Sequence, residues 1–350
     1  MCPSDNGGRP GDNRGIQESF ICREERPRAC YGCALSLLRM AGCVARVLSL
    51  RGLRAVCDTS VPRLILPKRV HHRSDVINTA GFVPVQVEWV VPGRLPRRAL
   101  RQARPIPCEF KRTVLYMHGG AYVLCHPGTL RGVTYKLSET LGALVCVPNY
   151  RRPPDHAAPA QIEDGLAVYA HLLAFDVEIV LAGDSAGGGI AAAMLLEMRR
   201  RSMKMPQCAL LVSPWTDIGD GGLRFATMSN AQKDYLPSAT AQWIAETVRG
   251  DLEGEDARIS PMYTEECLTF LPPLFVMYGT SELLCGQVQH FCRTWAAKGA
   301  NIESWGVRGG VHVPLLFCFC NKQAREGFRQ IEFFLQAIDT EHKAPGVLPA

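Results

Sequence analysis

The sequence predicts an α/β fold, a mostly parallel sheet with helices packed on both faces. Two observations carry this expectation. Apolar, strand-like runs end near Met117, Val147, Ala182, Val212, Tyr278 and Trp305, and helical patterns over 129–141, 160–173, 190–200 and 286–298 separate them. Two small-residue motifs, His118-Gly119-Gly120-Ala121-Tyr122 and Gly183-Asp184-Ser185-Ala186-Gly187, each open from the end of such a run. In open sheets of this kind, ligands sit at the carboxyl ends of the strands.

Composition sets the frame. The 350 residues are 47% hydrophobic and 21% charged, enough for one large domain with an appendage. The net charge of +6 is uneven: residues 1–112 hold 20 Lys/Arg against 9 Asp/Glu. These arginines are scattered among prolines and apolar residues, so they read as solvated surface, and no nucleic-acid partner is expected. The first residues, Met1-Cys2-Pro3-Ser4-Asp5-Asn6-Gly7-Gly8, are too polar for a signal peptide. The 15 cysteines are therefore expected to be reduced and the protein cytoplasmic. Cys30 and Cys33 have half of a zinc spacing without a second pair, so neither a structural metal nor a cofactor is expected.

Along the chain, residues 1–28 are polar and rich in Gly and Arg, and read as a disordered tail. Residues 29–75 read as an N-terminal helical cap segment. Within it, 31–50 carry Arg39 and Arg46, which argue against a membrane span. An amphipathic helix is expected there, packed on the domain or making peripheral membrane contact. Residues 82–91 alternate in the strand manner before the Pro92-Gly93 turn, and the basic, proline-broken stretch 95–110 reads as an edge strand. The main domain is expected over 76–340. The stretch 219–262 interrupts its alternation with a helix over 238–249 and a charged loop over 250–258, and reads as a cap insertion over the site.

The second motif has a mechanical meaning in its setting. A strand, Gly-x-Ser-x-Gly and a helix make a sharp turn that lifts the serine hydroxyl above the sheet edge. The first motif starts at His118, 67 residues upstream of Ser185, and its paired glycines allow backbone N–H groups to approach a ligand closely. A serine hydroxyl needs a base, and the base an orienting carboxylate. His312 follows the last strand-like run, in Gly309-Gly310-Val311-His312-Val313, at the same sheet edge as Ser185. Glu282 follows the run 274–279, and Asp217, after the run 209–213, is its rival as the acid. The order serine, acid, histidine is that of α/β-hydrolases.

With these residues in place, the sequence resembles the hormone-sensitive-lipase-type family of α/β-hydrolase fold esterases over about residues 80–335. The first motif is similar to the family's His-Gly-Gly-Gly, with Ala121 in place of the third glycine. Tyr150-Arg151-Arg152-Pro153-Pro154-Asp155-His156 resembles Tyr-Arg-Leu-Ala-Pro-Glu-His, and Gly183 to Gly188 match the nucleophile motif in full. Ser213-Pro214-Trp215-Thr216-Asp217 and Ser260-Pro261-Met262-Tyr263 match further segments and make Asp217 structural. Gly286 departs from an aspartate frequent in the family. The resemblance implies a cofactor-free serine carboxylester hydrolase with a helical cap, acting on small-molecule esters of short to medium acyl chain. Ser185, His312 and Glu282 would form its triad, and the N–H groups of Gly119, Gly120 and Ala186 its oxyanion hole. A deacetylase, a lactone hydrolase or a sterol-ester hydrolase shares that machinery, and a homodimer is left open. A non-catalytic binding protein is the reading from another class. The plant gibberellin receptors resemble the same family without the triad histidine, whereas this chain keeps all three groups.

Overall fold

The computed structural model describes residues 18–20, 51, 52, 54, 55, 70–93 and 107–341, with backbone only for 18–20, 220 and 221. Among the described residues nine strands form one sheet: β1 (Glu18–Phe20), β2 (His71–Ile77), β3 (Val85–Val91), β4 (Arg112–Met117), β5 (Leu144–Pro148), β6 (Glu178–Asp184), β7 (Cys208–Val212), β8 (Leu274–Gly279) and β9 (Ile302–Val307). Their order is β1-β9-β8-β7-β6-β4-β5-β3-β2. Among these described strands the β2–β3 and β3–β5 pairs are antiparallel and the others parallel. The inner strands are continuous apolar runs because both of their faces are covered.

The described residues form six helices of eight residues or more: α1 (Arg131–Leu141), α2 (Ala160–Leu172), α3 (Ala186–Arg200), α4 (Ser238–Arg249), α5 (Cys285–Ala297) and α6 (Lys322–Glu341). The side-chain period of two in a strand sends alternate residues to opposite cores. Leu115 and Met117 of β4 join α2, α3 and α5 in one core. Val114 and Tyr116 of the same strand join α1 and α6 in the other. Between β7 and β8 the chain runs through short 3₁₀ turns and α4, whose Ala241, Ile244, Ala245 and Val248 are buried in the first core.

Several sequence expectations need correction. Residues 71–75, expected in a helical cap segment, belong to β2, paired antiparallel with β3. The first four residues of β2, 71–74, are exposed at the sheet edge, so none of them had to be apolar. Glu18–Phe20, inside the stretch expected to be disordered, pairs in parallel with the free edge of β9. The described end of the predicted edge strand 95–110 is a 3₁₀ turn, Pro107–Glu109. The sequence reading assigns no element after the last strand, yet α6 runs for 20 residues there. Its signal is the buried set Ala324, Phe328, Ile331, Leu335 and Ile338, spaced by three and four. The amphipathic segment 31–50 and the Cys30/Cys33 pair lie outside the described residues. Among the described residues no helix is long and apolar enough to cross a membrane.

Candidate active site

Strand β6 delivers Ser185 at the turn into α3, with φ 52° and ψ −122°. A non-glycine residue in that conformation stores roughly 1–3 kcal/mol of strain. Its neighbours hold it there. Ser185 N–H donates to Val212 O (2.8 Å), and Ser185 O accepts from Trp215 N–H (2.9 Å). Gly187 must be glycine because a Cβ there would run into the carbonyl oxygen of Met117, at the end of β4. The Gly-x-Ser-x-Gly pattern thus records how closely α3 approaches the strand beside it.

Ser185 Oγ lies 2.8 Å from Nε2 of His312, which sits in the loop after β9. On the far side of the ring, Nδ1 is 3.7 Å from Glu282 Oε2, an ion-pair distance that is too long for a hydrogen bond. The three side chains expected from sequence therefore converge from the ends of β6, β8 and β9. Glu282 is completely buried and His312 is 4% exposed, so their charges act through little water. Burial raises the Glu282 carboxyl above its ordinary range. For His312, burial works to lower the pKa, but the carboxylates of Glu282, Asp234 and Asp184 outweigh it and hold the ring above its usual value.

Glu282 is held by groups that sequence reasoning did not single out. Its Oε2 accepts from Ser213 Oγ (2.6 Å) and from the Gly279 N–H (3.1 Å). Ser213 Oγ in turn accepts from the Val313 N–H (3.0 Å), next to the histidine. The carbonyl of Glu282 accepts from Asn230 Nδ2 at 3.1 Å. These contacts support the acid although Gly286 replaces the frequent aspartate; the Gly286 N–H donates to Thr227 Oγ1. Asp217, the rival acid, is engaged elsewhere. Its Oδ1 accepts from the Gly219 N–H (2.9 Å) and its Oδ2 from the Tyr263 hydroxyl (3.1 Å).

The loop after β4 needs one correction to the sequence expectation. The Gly119 N–H is not free to meet a ligand: it donates to Asp184 Oδ1 at 2.9 Å. Tyr116 donates to the same oxygen at 2.8 Å, and burial pushes the Asp184 carboxyl up to about 6. The direction of an amide depends on the loop's dihedrals, which a motif does not show. Gly120 has φ 119°, and Ala121 and Tyr122 have φ 52° and 65°. Among the described residues, the N–H groups of Gly120, Ala121 and Ala186 have no hydrogen-bond partner. Ala121, in place of the third glycine, adopts the left-handed conformation that glycine would take without strain.

The second resemblance motif braces this loop. Tyr150 donates to His118 O at 2.6 Å, and its ring stacks on the His118 imidazole at 4.2 Å. Arg151 is held by Asp164 through Nε (2.9 Å) and its own backbone N–H (2.7 Å). Tyr122 crosses to Trp215 O at 2.7 Å, joining the loop to the segment that holds Ser185. Geometrically, the site presents a hydroxyl paired to an imidazole beside unengaged amides. That arrangement suits attack on a carbonyl carbon with a place for the resulting oxyanion.

Comparison with known proteins gives the same direction. The sequence profile described as alpha/beta hydrolase fold matches residues 114–316. An acetyl-hydrolase of Streptomyces hygroscopicus is 34% identical over 223 residues, 62% of this chain and 72% of that protein. An esterase of Acinetobacter venetianus is 30% identical over 185 residues, 51% of this chain and 59% of that protein. The crystal structure of an esterase from the bacterial hormone-sensitive lipase family superposes with a TM-score of 0.75. It is 24% identical, and the match covers 89% of this chain and 99% of that one.

Proposed function

This chain belongs to the alpha/beta hydrolase fold family, and from that premise we propose that it is a carboxylic ester hydrolase working through a Ser185–His312–Glu282 triad and an acyl-enzyme. The observation that supports this most is the 2.8 Å contact between Ser185 Oγ and His312 Nε2 beside the unengaged amides. His312 Nε2 takes the hydroxyl proton as Oγ bonds to the ester carbonyl carbon. The N–H groups of Gly120, Ala121 and Ala186 hold the oxyanion, Ala121 taking the place first expected of Gly119. The tetrahedral species collapses, the alkoxide leaves with the proton from His312, and the acyl group stays on Ser185. Water then loses a proton to His312 and attacks the acyl carbon; the bond to Ser185 Oγ breaks, His312 returns the proton to Oγ, and the acid is released.

Glu282 orients the ring and stabilises its cationic form. Its removal should show in the pH profile. The neutral imidazole is the active form, so kcat/KM rises as pH passes the pKa of His312. A carboxylate close to the ring raises that pKa. Glu282→Gln is therefore expected to move the acid limb to lower pH and to lower the plateau by about 10²–10⁴-fold. An unmoved limb with an intact plateau would remove Glu282 from the set.

We assign short- to medium-chain acyl esters as substrates, the short end being supported by the acetyl-hydrolase relative. A graded series of p-nitrophenyl esters, run beside fluorophosphonate labelling, tests this. Turnover is expected to peak below about ten acyl carbons, with Ser185 labelled. Labelling without turnover of any ester would overturn the substrate class, and neither labelling nor turnover would make the fold a binding scaffold.

A further inference from the structure

The acid and base loops follow two strands, β8 and β9, and besides Ser213, which bridges Glu282 and the Val313 N–H, a second side chain from neither strand joins both. Asp234 lies in the insertion between β7 and β8, just before α4, and is 3% exposed. Its Oδ2 accepts from the N–H of Leu283, next to Glu282, at 2.8 Å. Its Oδ1 accepts from the N–H of His312 itself at 3.0 Å, and from its neighbour Tyr235 at 2.8 Å. Hydrogen bonds to an ionised acceptor are roughly twice as strong as neutral ones, and burial strengthens them further. Burying a carboxylate is costly unless its oxygens are met by donors, as these are.

The same short segment makes a second attachment. Asn230 Nδ2 donates to Thr280 O and Glu282 O, both at 3.1 Å. The Asp234 N–H bonds back to Asn230 O at 2.9 Å, so the two side chains form one block. Without that block, direct ties between the two loops remain, such as Ser281 N–H to Gly310 O at 2.8 Å. Neither of these two residues involves Glu282 or His312. Ser213 holds the Glu282 carboxylate and the Val313 N–H, whereas the block holds the backbone of Glu282, Leu283 and His312.

We propose that Asp234 is a positioning residue, a clamp from the insertion that sets His312 and Glu282 against each other and against Ser185. The inference rests on the reading of those three residues as the reacting groups. The clamp is also electrostatic. The groups acting on the His312 ring are the carboxylates of Glu282, Asp234 and Asp184, together with Ser185 and the Tyr235 ring at 6.0 Å. Asp234 adds a negative charge that favours the imidazolium formed at each proton transfer.

The test compares Asp234→Asn, Asp234→Glu and Ser185→Ala with the wild type in steady-state ester hydrolysis across pH. The asparagine lacks the charge and turns a donor toward one of the backbone N–H groups. Its kcat is expected to fall about 10- to 100-fold, in line with the cost of misplacing a reacting group by about 1 Å, with KM nearly unchanged. Its acid limb is expected to move down by about half a pH unit or more. Asp234→Glu keeps the charge with displaced oxygens, so it should lose kcat while its acid limb stays close to the wild-type position. It carries the test if the asparagine variant fails to fold, and wild-type kcat in it would overturn the clamp. A loss carried by KM with an unmoved limb would mean that Asp234 serves only the fold of the insertion. Wild-type behaviour of Asp234→Asn beside an inactive Ser185→Ala would sink this proposal alone. Full turnover by Ser185→Ala would sink the triad reading.

Discussion

Ser185→Ala is expected to lower kcat for a chromogenic short-chain ester by at least about 10⁴-fold while leaving KM close to the wild-type value. The substitution removes the atom that bonds to the acyl carbon, so no acyl-enzyme forms and fluorophosphonate labelling is lost with it. What remains is water attack assisted by the amides, which in comparable sites still gives about 10³–10⁴-fold over the uncatalysed reaction. The fold should survive. Alanine meets the same conformational strain at φ 52° as serine does, and the lost contact to His312 is a single hydrogen bond, worth about 1 kcal/mol. A matching thermal midpoint would therefore place the whole effect on chemistry. Retention of more than about one-tenth of wild-type turnover would rule out Ser185 as the nucleophile.

Much of this site was legible in the sequence, and the reasons are local. Gly-x-Ser-x-Gly, the glycine pair and the histidine loop each lie within a few residues of a strand end, and strand ends are visible as breaks in apolar runs. The parallel order of the inner strands follows from their alternation with helices. The parts that escaped act across the chain. Ser213 meets Glu282 over 69 positions, and Asp234 meets His312 over 78, through bonds between side chains or from backbone to side chain. Neither leaves a periodic trace. Asp234 in particular reads as an ordinary polar residue between Lys233 and Tyr235. The engagement of the Gly119 N–H by Asp184 escaped for another reason: residue type permits a close approach but does not say which way each amide of the loop turns. Strand β2 escaped because five of its seven residues are exposed, and the patterns that mark strands depend on burial.

His312→Gln should be as damaging as loss of the serine, because no other histidine among the described residues is placed to take over. His118 is the only other buried histidine among the described residues, and it is committed. Its Nδ1 lies 2.7 Å from Gly119 O, its ring is stacked on Tyr150, and burial holds its pKa down to about 3. His126 is also engaged, with Nδ1 accepting from the Gly128 N–H at 3.0 Å. A glutamine amide at 312 fills much of the same space and reaches the serine hydroxyl, but it cannot take a proton at neutral pH. The expected loss in kcat is about 10⁴-fold or more. The discriminating measurement is the double variant. If Ser185 and His312 act as one unit, Ser185→Ala/His312→Gln should be no slower than the worse single variant, because removing the nucleophile already leaves the base without its task. Two independent contributions would instead multiply, to about 10⁸-fold. A His312→Gln enzyme that keeps more than about one-hundredth of wild-type kcat would show that a different group accepts the proton, and the 2.8 Å contact would then be a structural hydrogen bond rather than the path of the proton.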